Sequence, residues 1–299
     1  MQAKSRGSET LTKQAHGYAK SPVRDDCGRL FFHCCLIHAE RRRGIEFHKN
    51  HLGKGRQKKE KDYTVYVYQE RLVLIMNMLE QIKGGLVVSC QALPDEPLHS
   101  SFIMGRMALA AKQGGAVGIR AQSKEDIIEI KKVVDLPVIG IVKRSYPDSD
   151  IYITATKKEL DELFETGCEM IAMDATLRDR PNGEKLEDLV NYVHEHGVLA
   201  MADCSTYEEC VNAENIGFDC VSTTLCGYTP YSKNVDGPNL ELFKKLAETI
   251  KAPILAEGKI NTPEDLAAVY EAGAYSAVVG GAITRPKQIT ERFVKALKK

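Results

Sequence analysis

The sequence predicts an α/β fold in which eight repeated βα units close into a (β/α)8 TIM barrel, preceded by an N-terminal extension. Three observations lead to this prediction. Eight short apolar runs follow residue 85, and each is followed by a polar loop and a helical pattern. Their starts lie about 22 to 34 residues apart, the length of a βα unit. The runs are continuous rather than alternating, which is typical of parallel strands covered on both faces.

The predicted strands are rich in Val, Ile, Ala and Met. In chain order they are Leu86–Cys90, Ala116–Ile119, Val138–Val142, Met170–Met173, Val198–Ala202, Cys220–Thr223, Ile254–Ala256 and Ala277–Val279. A doubly wound open sheet is the alternative, but such a sheet usually has a glycine-rich turn after its first strand. Here Ser89-Cys90-Gln91 stands at that place. We therefore favour the closed barrel.

The helices between the strands have recognisable starts and ends. Ser123 to Asp126 and Thr156 to Glu159 have the pattern of capping boxes. Thr262-Pro263 places a hydroxyl at the cap and proline at the first helical position. The glycines expected where helices end are Gly167, Gly197, Gly217 and Gly273.

The charge distribution places a domain boundary between residues 77 and 78. The 299 residues carry 41 basic and 41 acidic side chains, a balance that argues against a protein that coats nucleic acid. Residues 1–77 carry 16 basic side chains against 8 acidic ones, whereas residues 78–299 carry 25 against 33. We therefore expect an N-terminal extension, 1–77, and a barrel domain, 78–299.

The extension contains five of the eight histidines and three of the nine cysteines but few recognisable elements. A zinc site is one alternative, but its cysteines form no Cys-x2-Cys pair. A basic arm for nucleic acid is another, although charge runs are usually only solvated. We interpret the segment as lying outside the evolved domain. It is either disordered, or it results from a start codon assigned too far upstream, with Met76 or Met78 as the natural first residue. The zinc candidates are Cys27, His33, Cys34, Cys35, His38, His48 and His51.

The chain has no apolar run near the roughly 18 residues that a membrane helix needs. Its first 30 residues also lack the apolar segment of a secretory signal. The odd number of cysteines and their irregular spacing suit reduced thiols. We expect a cytoplasmic protein with no structural disulfide and with neither a membrane nor a nucleic acid as partner.

Polar residues end seven of the eight predicted strands. In a barrel the active site lies at the carboxyl ends of the strands. Charges crowded there repel each other or lose solvation unless a ligand needs them. The candidates are Gln91, Arg120, Lys143, Asp174, Asp203, Thr224 and Glu257, with Gly280-Gly281 after the eighth strand.

The last two strand ends predict a phosphate site, as is common in barrels. Gly258 follows the seventh strand and Gly280-Gly281 the eighth, where a missing side chain lets a ligand approach the backbone. We expect Ala282 to Thr284 to open a helical turn whose free N–H groups attract an anion. Arg285 adds a charged donor nearby.

Lys143 and Glu257 end the third and seventh strands, which face each other across an eight-stranded barrel. A partly desolvated lysine has a lowered pKa and acts as a base near neutral pH. With a carboxylate opposite, a proton can leave one face of a carbon and return to the other. This arrangement is that of a racemase or epimerase acting next to a carbonyl; a structural ion pair is the alternative.

Ten stretches that include all eight strand ends carry a family resemblance. They are Gly85–Leu93, Asp95–Ser100, Gly114–Ala121, Pro137–Arg144, Ile153–Thr156, Ala172–Thr176, Met201–Asp203, Thr223–Thr229, Ala256–Gly258 and Val278–Pro286. Together they resemble the N-acetylmannosamine-6-phosphate 2-epimerase family, from about residue 83 to the carboxyl terminus. The extension has no counterpart in this resemblance.

The resemblance implies a TIM barrel that interconverts N-acetyl-D-mannosamine 6-phosphate and N-acetyl-D-glucosamine 6-phosphate in sialic acid degradation, without metal or nucleotide. It implies that Lys143 carries the proton at C2 and that Glu257 is its catalytic partner. The expected substrate-binding residues are Gln91, Arg120 and Asp203 for the sugar and its N-acetyl group, Gly280, Gly281 and Arg285 for the phosphate, and Thr224 and Gly258 beside them. We expect a homodimer.

Several alternatives stay open at this point. Lys143 performs both proton transfers, or Glu257 serves one face, directly or through a substrate hydroxyl. Another phosphate-binding barrel, such as a lyase or isomerase of a ketose phosphate, needs the glycine loops but not the facing Lys143 and Glu257. A sugar-phosphate sensor that binds nucleic acid and a flavin-dependent barrel are further alternatives.

Overall fold

The structure is a computed structural model that describes residues 78–297 of the chain. Within these residues eight parallel strands pair in chain order, and the last pairs with the first to close a barrel. The predicted (β/α)8 fold is confirmed. The interpretations of residues 1–77, including the zinc site and the basic arm, lie outside the described residues.

Each strand is followed by a helix. The strands are β1 Leu86–Cys90, β2 Gly118–Gln122, β3 Val138–Ile141, β4 Met170–Asp174, β5 Leu199–Asp203, β6 Cys220–Ser222, β7 Ile254–Glu257 and β8 Ser276–Val279. The helices are α1 Ser101–Gln113, α2 Lys124–Val133, α3 Lys157–Phe164, α4 Leu186–Glu195, α5 Tyr207–Ile216, α6 Leu240–Thr249, α7 Pro263–Glu271 and α8 Pro286–Ala296, with a 3-10 turn at Pro181–Gly183. Among the described residues, no helix has the length and apolar character needed to cross a membrane.

All eight predicted strands are present, with shifted ends. The largest shift is in β2, which continues to Gln122 rather than ending at Ile119. Arg120 pairs with Ser89 of β1 and Ile139 of β3 and therefore lies within the sheet, not after it. A charged residue is possible inside this strand because its side chain finds buried partners in the barrel.

The helix caps follow the predicted chemistry with one exception. Thr156 and Thr262 form reciprocal capping boxes with the third residue of α3 and α7. At α2 the Ser123 hydroxyl accepts the Asp126 N–H at 3.3 Å, but the return bond is missing. The Asp126 carboxylate instead accepts the Ser101 hydroxyl at 2.7 Å. The prediction of a full capping box there was wrong, because a tertiary partner on α1 takes the carboxylate.

Two apolar cores flank the sheet. One lies between the strands and the helices, and the other fills the barrel, where Val87, Ile139 and Met201 belong to one buried cluster. Met78 and Ile82, in a helical segment at residues 78–82, belong to this second cluster. The six cysteines of the described residues are buried free thiols. The polar strand ends thus stand above an apolar barrel interior.

Helix α8 differs from the other seven because none of its residues is buried. Phe293 is 74% exposed and Val294 43%, and Leu297 directly after the helix is 85% exposed. Within the described part of the chain, the last helix therefore leaves apolar side chains exposed.

Candidate active site

A cavity of about 510 Å³ opens at the carboxyl ends of the strands. The structure brings nine predicted site residues together in its lining. They are Gln91, Arg120, Lys143, Thr224, Glu257, Gly258, Gly280, Gly281 and Arg285. Two other strand-end residues, Asp174 and Asp203, are fully buried and do not line it.

Arg120 joins two carboxylates at the base of the cavity. Its Nη1 and Nη2 donate to Asp203 Oδ1 and Oδ2 at 3.0 and 2.6 Å, and Nη1 also donates to Glu257 Oε2 at 2.6 Å. Burial opposes the charge of the guanidinium, but the two carboxylates outweigh it and hold the Arg120 pKa above its ordinary value. The buried cation is stable because both partners are bound in fixed geometry.

Thr224 connects the same carboxylates through one hydroxyl. Its Oγ1 lies 2.7 Å from Asp203 Oδ1, 3.1 Å from Glu257 Oε2 and 2.8 Å from the Ser222 hydroxyl. A hydroxyl has a single hydrogen to donate. Thr224 therefore fixes the spacing of the two carboxylates, and its bond to Glu257 depends on which carboxylate receives its hydrogen.

Lys143 follows β3 and lines the cavity on the side of the barrel opposite β7, which ends at Glu257. Among the described residues its ammonium makes no hydrogen bond or ion pair. Burial, together with the charges of Arg120 and Arg285, lowers the Lys143 pKa to about 8 against the opposing effect of Glu257 and Asp203. About a tenth of such amines are neutral at pH 7. An amine with this pKa accepts a proton near neutral pH more readily than an ordinary lysine does.

Glu257 ends β7 with a side chain that is 14% exposed. Burial raises its pKa to about 7, helped by Asp203 and opposed by Arg120, by the Thr224 hydroxyl and by Lys143. Lys143 and Glu257 thus titrate in the same range. Groups with matched pKa values pass a proton in either direction without a large energetic penalty.

One end of the cavity is built on the loops after β7 and β8, where the sequence predicts a phosphate site. Gly258 has φ of 100°, which a residue with a side chain rarely adopts. A Cβ at Gly280 would lie 3.2 Å from the Ser89 Cβ, so a side chain there would crowd β1. Backbone conformation therefore favours glycine at position 258, and limited space favours it at position 280.

The prediction of three free N–H groups after Gly281 was wrong for two of them. Ile283 N and Thr284 N donate to Gly280 O at 2.8 and 2.9 Å, because the turn closes on that carbonyl. The amides of Gly281 and Ala282 make no hydrogen bond to any described residue. Arg285 lies at this end with its Nη2 3.3 Å from Glu96 Oε2.

Two buried polar atoms at the cavity have no partner in the described part of the chain. Gln91 Nε2 donates to the Ser89 hydroxyl at 2.8 Å, which leaves Gln91 Oε1 without a donor. Arg120 Nε is likewise without an acceptor. Buried polar groups are normally paired. Gln91 and Arg120 thus leave one acceptor and one donor unpaired beside the cavity.

Asp174 belongs to a separate cluster. Its carboxylate accepts Arg178 Nη2 at 2.7 Å and the Thr176 hydroxyl at 2.6 Å. Burial raises its pKa against the effect of these partners. Asp174 therefore lies at a strand end like the cavity residues, but its hydrogen bonds hold the loop after β4.

Several residues that line the cavity were not among the predicted site residues. Tyr152, Tyr228 and Lys259 come from the loops after β3, β6 and β7, and Gln288 and Arg292 come from α8. Loop residues carry no periodic signal, and their contribution depends on how each loop folds back. Lys259 was detectable only as the residue after the predicted Glu257-Gly258.

The closed parallel barrel and the charged cavity at the ends of its strands define a TIM-barrel enzyme. A family model described as "Putative N-acetylmannosamine-6-phosphate epimerase" matches residues 104–299. The chain belongs to this family, and the resemblance seen in the sequence is confirmed.

Individual relatives agree with this assignment. A "Putative N-acetylmannosamine-6-phosphate 2-epimerase" from Clostridioides difficile (strain 630) is 64% identical over 220 residues, which cover 74% of this chain and 99% of the relative. A protein of the same name from Clostridium perfringens (strain SM101 / Type A) is 65% identical over 221 residues, 74% of this chain and all of the relative. The solved N-acetylmannosamine-6-phosphate 2-epimerase from Clostridium perfringens superposes with a TM-score of 0.73 at 64% identity, covering 73% of this chain and 96% of that one.

Proposed function

We propose that this chain is an N-acetylmannosamine-6-phosphate 2-epimerase. It inverts C2 of N-acetyl-D-mannosamine 6-phosphate to give N-acetyl-D-glucosamine 6-phosphate, in the degradation of N-acetylneuraminate. The observation that carries the proposal is the pair Lys143 and Glu257, which line one cavity with pKa values near 8 and 7. Membership of the family supports the identity of the substrate.

The chemistry requires an acidic hydrogen at C2. In the ring-opened sugar the aldehyde at C1 acidifies this hydrogen, and the neutral amine of Lys143 removes it. The electron pair of the C2–H bond moves toward the C1 oxygen, giving an enolate that carries its negative charge on the C1 oxygen and keeps the acetamido nitrogen on C2. Arg120 lies at the base of the same cavity and stabilises this negative charge, a contribution of several kcal/mol when the donor is preorganised.

Return of the proton to the opposite face completes the inversion. Lys143 returns it after the intermediate turns, or Glu257 returns it directly or through a substrate hydroxyl. The similar pKa values of the two groups favour transfer through the pair. These steps use protein groups and substrate only, without metal or nucleotide.

The unpaired atoms of the cavity support recognition of the N-acetyl group. A secondary amide has one N–H donor and one carbonyl acceptor, which complement Gln91 Oε1 and Arg120 Nε. Asp203 acts from beneath the cavity: both of its oxygens accept from Arg120, so it orients the guanidinium. The Thr224 hydroxyl lies between Asp203 and Glu257 and fixes the spacing of the two carboxylates.

The 6-phosphate is assigned to the glycine loops. The amides of Gly281 and Ala282 point to an anion as their acceptor, and Arg285 adds a positive charge. Gly258 leaves room for the ligand beside them. With the phosphate at β8 and the base at β3, the sugar spans the cavity.

Turnover tests the proposal directly. Incubated with N-acetylmannosamine 6-phosphate, the protein is expected to produce N-acetylglucosamine 6-phosphate until the two epimers reach a constant ratio, followed by 31P and 1H NMR. Started from the other epimer, the reaction should reach the same ratio. Cleavage of the sugar phosphate into smaller products would instead indicate a lyase, and no reaction in either direction would contradict the proposal.

We further propose that residues 78–299 form the complete epimerase domain and act as a homodimer in the cytoplasm. The match to the C. difficile relative, which covers 99% of that protein and 74% of this chain, supports the boundary. The exposed Phe293 and Val294 of α8 support an interface. A chain starting at Met78 is expected to turn over as fast as the full chain and to sediment at twice its chain mass. Loss of activity in the shorter chain would contradict the boundary, and a monomer mass the dimer.

A further inference from the structure

The loop between β3 and α3 inserts a short segment between the ends of β3 and β4. Thr154 N donates to Val142 O at 2.8 Å on one side, and Ile153 O accepts Asp174 N at 3.0 Å on the other. Beneath it, β3 and β4 pair directly at two positions, Ile139 with Met170 and Gly140 with Ile171. At the mouth of the barrel the inserted segment therefore replaces the ladder between these two strands.

Thr154 adopts an uncommon backbone conformation at this point. Its φ is 44°, in the left-handed region, although it is β-branched and fully buried. Such a residue is an outlier that the surrounding structure has to hold in place. Outliers of this kind cluster at functional sites, where the strain is part of the mechanism.

The side chain of Thr154 completes a clamp on Val142. Val142 N donates to Thr154 Oγ1 at 3.2 Å, so that both backbone groups of Val142 are bonded to the same residue. Lys143 is the next residue, and its backbone forms an antiparallel bridge with Ile153. Arg144 N then donates to Tyr152 O at 2.9 Å.

Arg180 fastens the inserted segment to β4. This side chain is buried, and its Nη1 donates to Ala155 O at 3.1 Å. Its Nη2 donates to Asp174 O, the last residue of β4. The clamp therefore runs from β3 through the inserted segment to β4, and the strain at Thr154 is balanced by bonds on both sides.

The position of Lys143 depends on this backbone. Its ammonium has no hydrogen bond within the described residues to orient it, unlike Arg120 and Glu257. We propose that Thr154 is a positioning residue for proton transfer: its left-handed conformation and its two bonds to Val142 hold the Lys143 nitrogen over the cavity. The inference rests on the proposed function, in which Lys143 is the base.

Two variants separate the hydroxyl from the shape of the side chain. Thr154→Val keeps the β-branch and loses the bond to Val142 N, whereas Thr154→Ser keeps the hydroxyl. We expect Thr154→Val to lower kcat on the order of 10- to 100-fold with little change in KM, because small displacements of a reacting group have effects of this size. Thr154→Ser should retain most of kcat.

Thr166→Val is the matched control. Thr166 is also buried and its hydroxyl also accepts a backbone N–H, from Cys168 at 3.2 Å, but it lies beyond α3 and away from the cavity. Its hydroxyl also donates to Leu163 O at 2.7 Å, so Thr166→Val loses two hydrogen bonds. This variant should be destabilised at least as much as Thr154→Val and keep kcat. The melting temperature of each variant is measured beside its kinetics.

The pH dependence of Lys143 labelling provides a second readout that does not need turnover. The charges that act on its amine are those of Arg120 of β2, Asp203 of β5, Glu257 of β7 and Arg285 after β8. In Thr154→Val the Lys143 amine should move toward solvent. The pH at which its acetylation is half-maximal, measured by mass spectrometry, should then rise toward that of an ordinary lysine.

The outcomes separate the two proposals. Wild-type kcat and an unchanged labelling midpoint in Thr154→Val would overturn the inference. Equal losses in Thr154→Val and Thr166→Val would also overturn it, because they would reflect stability alone. A wild-type protein that does not epimerise would defeat the proposed function, while the labelling midpoint would still decide whether Thr154 positions Lys143.

Discussion

Lys143→Ala is expected to abolish epimerisation while the barrel stays folded. Removal of a general base typically lowers kcat on the order of 10²- to 10⁴-fold, and the described residues offer no second amine in the same position. Burial lowers the Lys143 pKa, so charging this amine opposes folding at every pH below its ordinary range. The variant should therefore melt no lower than the wild type. Steady-state turnover and thermal unfolding at pH 7 measure the two effects.

Lys132→Ala is the control for a lost lysine. Lys132 is 64% exposed and pairs with Glu129 on the surface of α2, far from the cavity. Surface pairs of this kind contribute about 1 kcal/mol or less, so this variant should keep both its activity and its stability. Near-normal turnover in Lys143→Ala would overturn the assignment of the base.

Arg120→Met is expected to lower both stability and turnover. Methionine has a similar length but leaves the buried Asp203 and Glu257 without their shared cation. Breaking a buried ion pair costs about 3–5 kcal/mol, and loss of a donor to the developing oxyanion lowers kcat on the order of 10²- to 10³-fold. Urea unfolding and turnover measure the two losses.

The pH dependence of this variant gives a sharper test. Burial raises the pKa of Glu257 to about 7, and its protonation removes part of the charge that Arg120 compensates, so the stability deficit of Arg120→Met should shrink as the pH falls from 8 to 5. Arg120→Lys, which keeps the charge without the planar two-carboxylate contact, should lie between the wild type and Arg120→Met. A deficit independent of pH would mean that packing, not charge, is what Arg120 provides.

The fold and much of the site could be predicted because parallel strands place their carboxyl ends on one edge. Gln91, Lys143 and Glu257 are far apart in sequence, but each follows or ends an apolar run, and the closed barrel brings them into one cavity. The same reasoning included Asp174 and Asp203, which end their strands but accept buried hydrogen bonds from arginine side chains and do not line the cavity. Position at a strand end does not fix whether a side chain faces the ligand or a neighbouring residue.

The remaining features depend on tertiary contacts that carry no periodic signal. The inserted Ile153–Thr154 segment and the left-handed φ of Thr154 follow from bonds to β3 and β4, not from local propensity. The turn after Gly281 uses Ile283 N and Thr284 N internally because it closes on Gly280 O. Sequence identifies such loops as sites of function but does not give their hydrogen bonds.

The fate of the hydrogen at C2 in deuterium oxide is the most direct test of proton removal by Lys143. N-acetylmannosamine 6-phosphate is incubated with the protein and followed by 1H NMR. Proton removal by Lys143 predicts that N-acetylglucosamine 6-phosphate forms with deuterium at C2, and that Lys143→Ala produces neither product nor exchange. Product that retains its original C2 hydrogen throughout, or exchange at the wild-type rate in Lys143→Ala, would contradict the proposed mechanism.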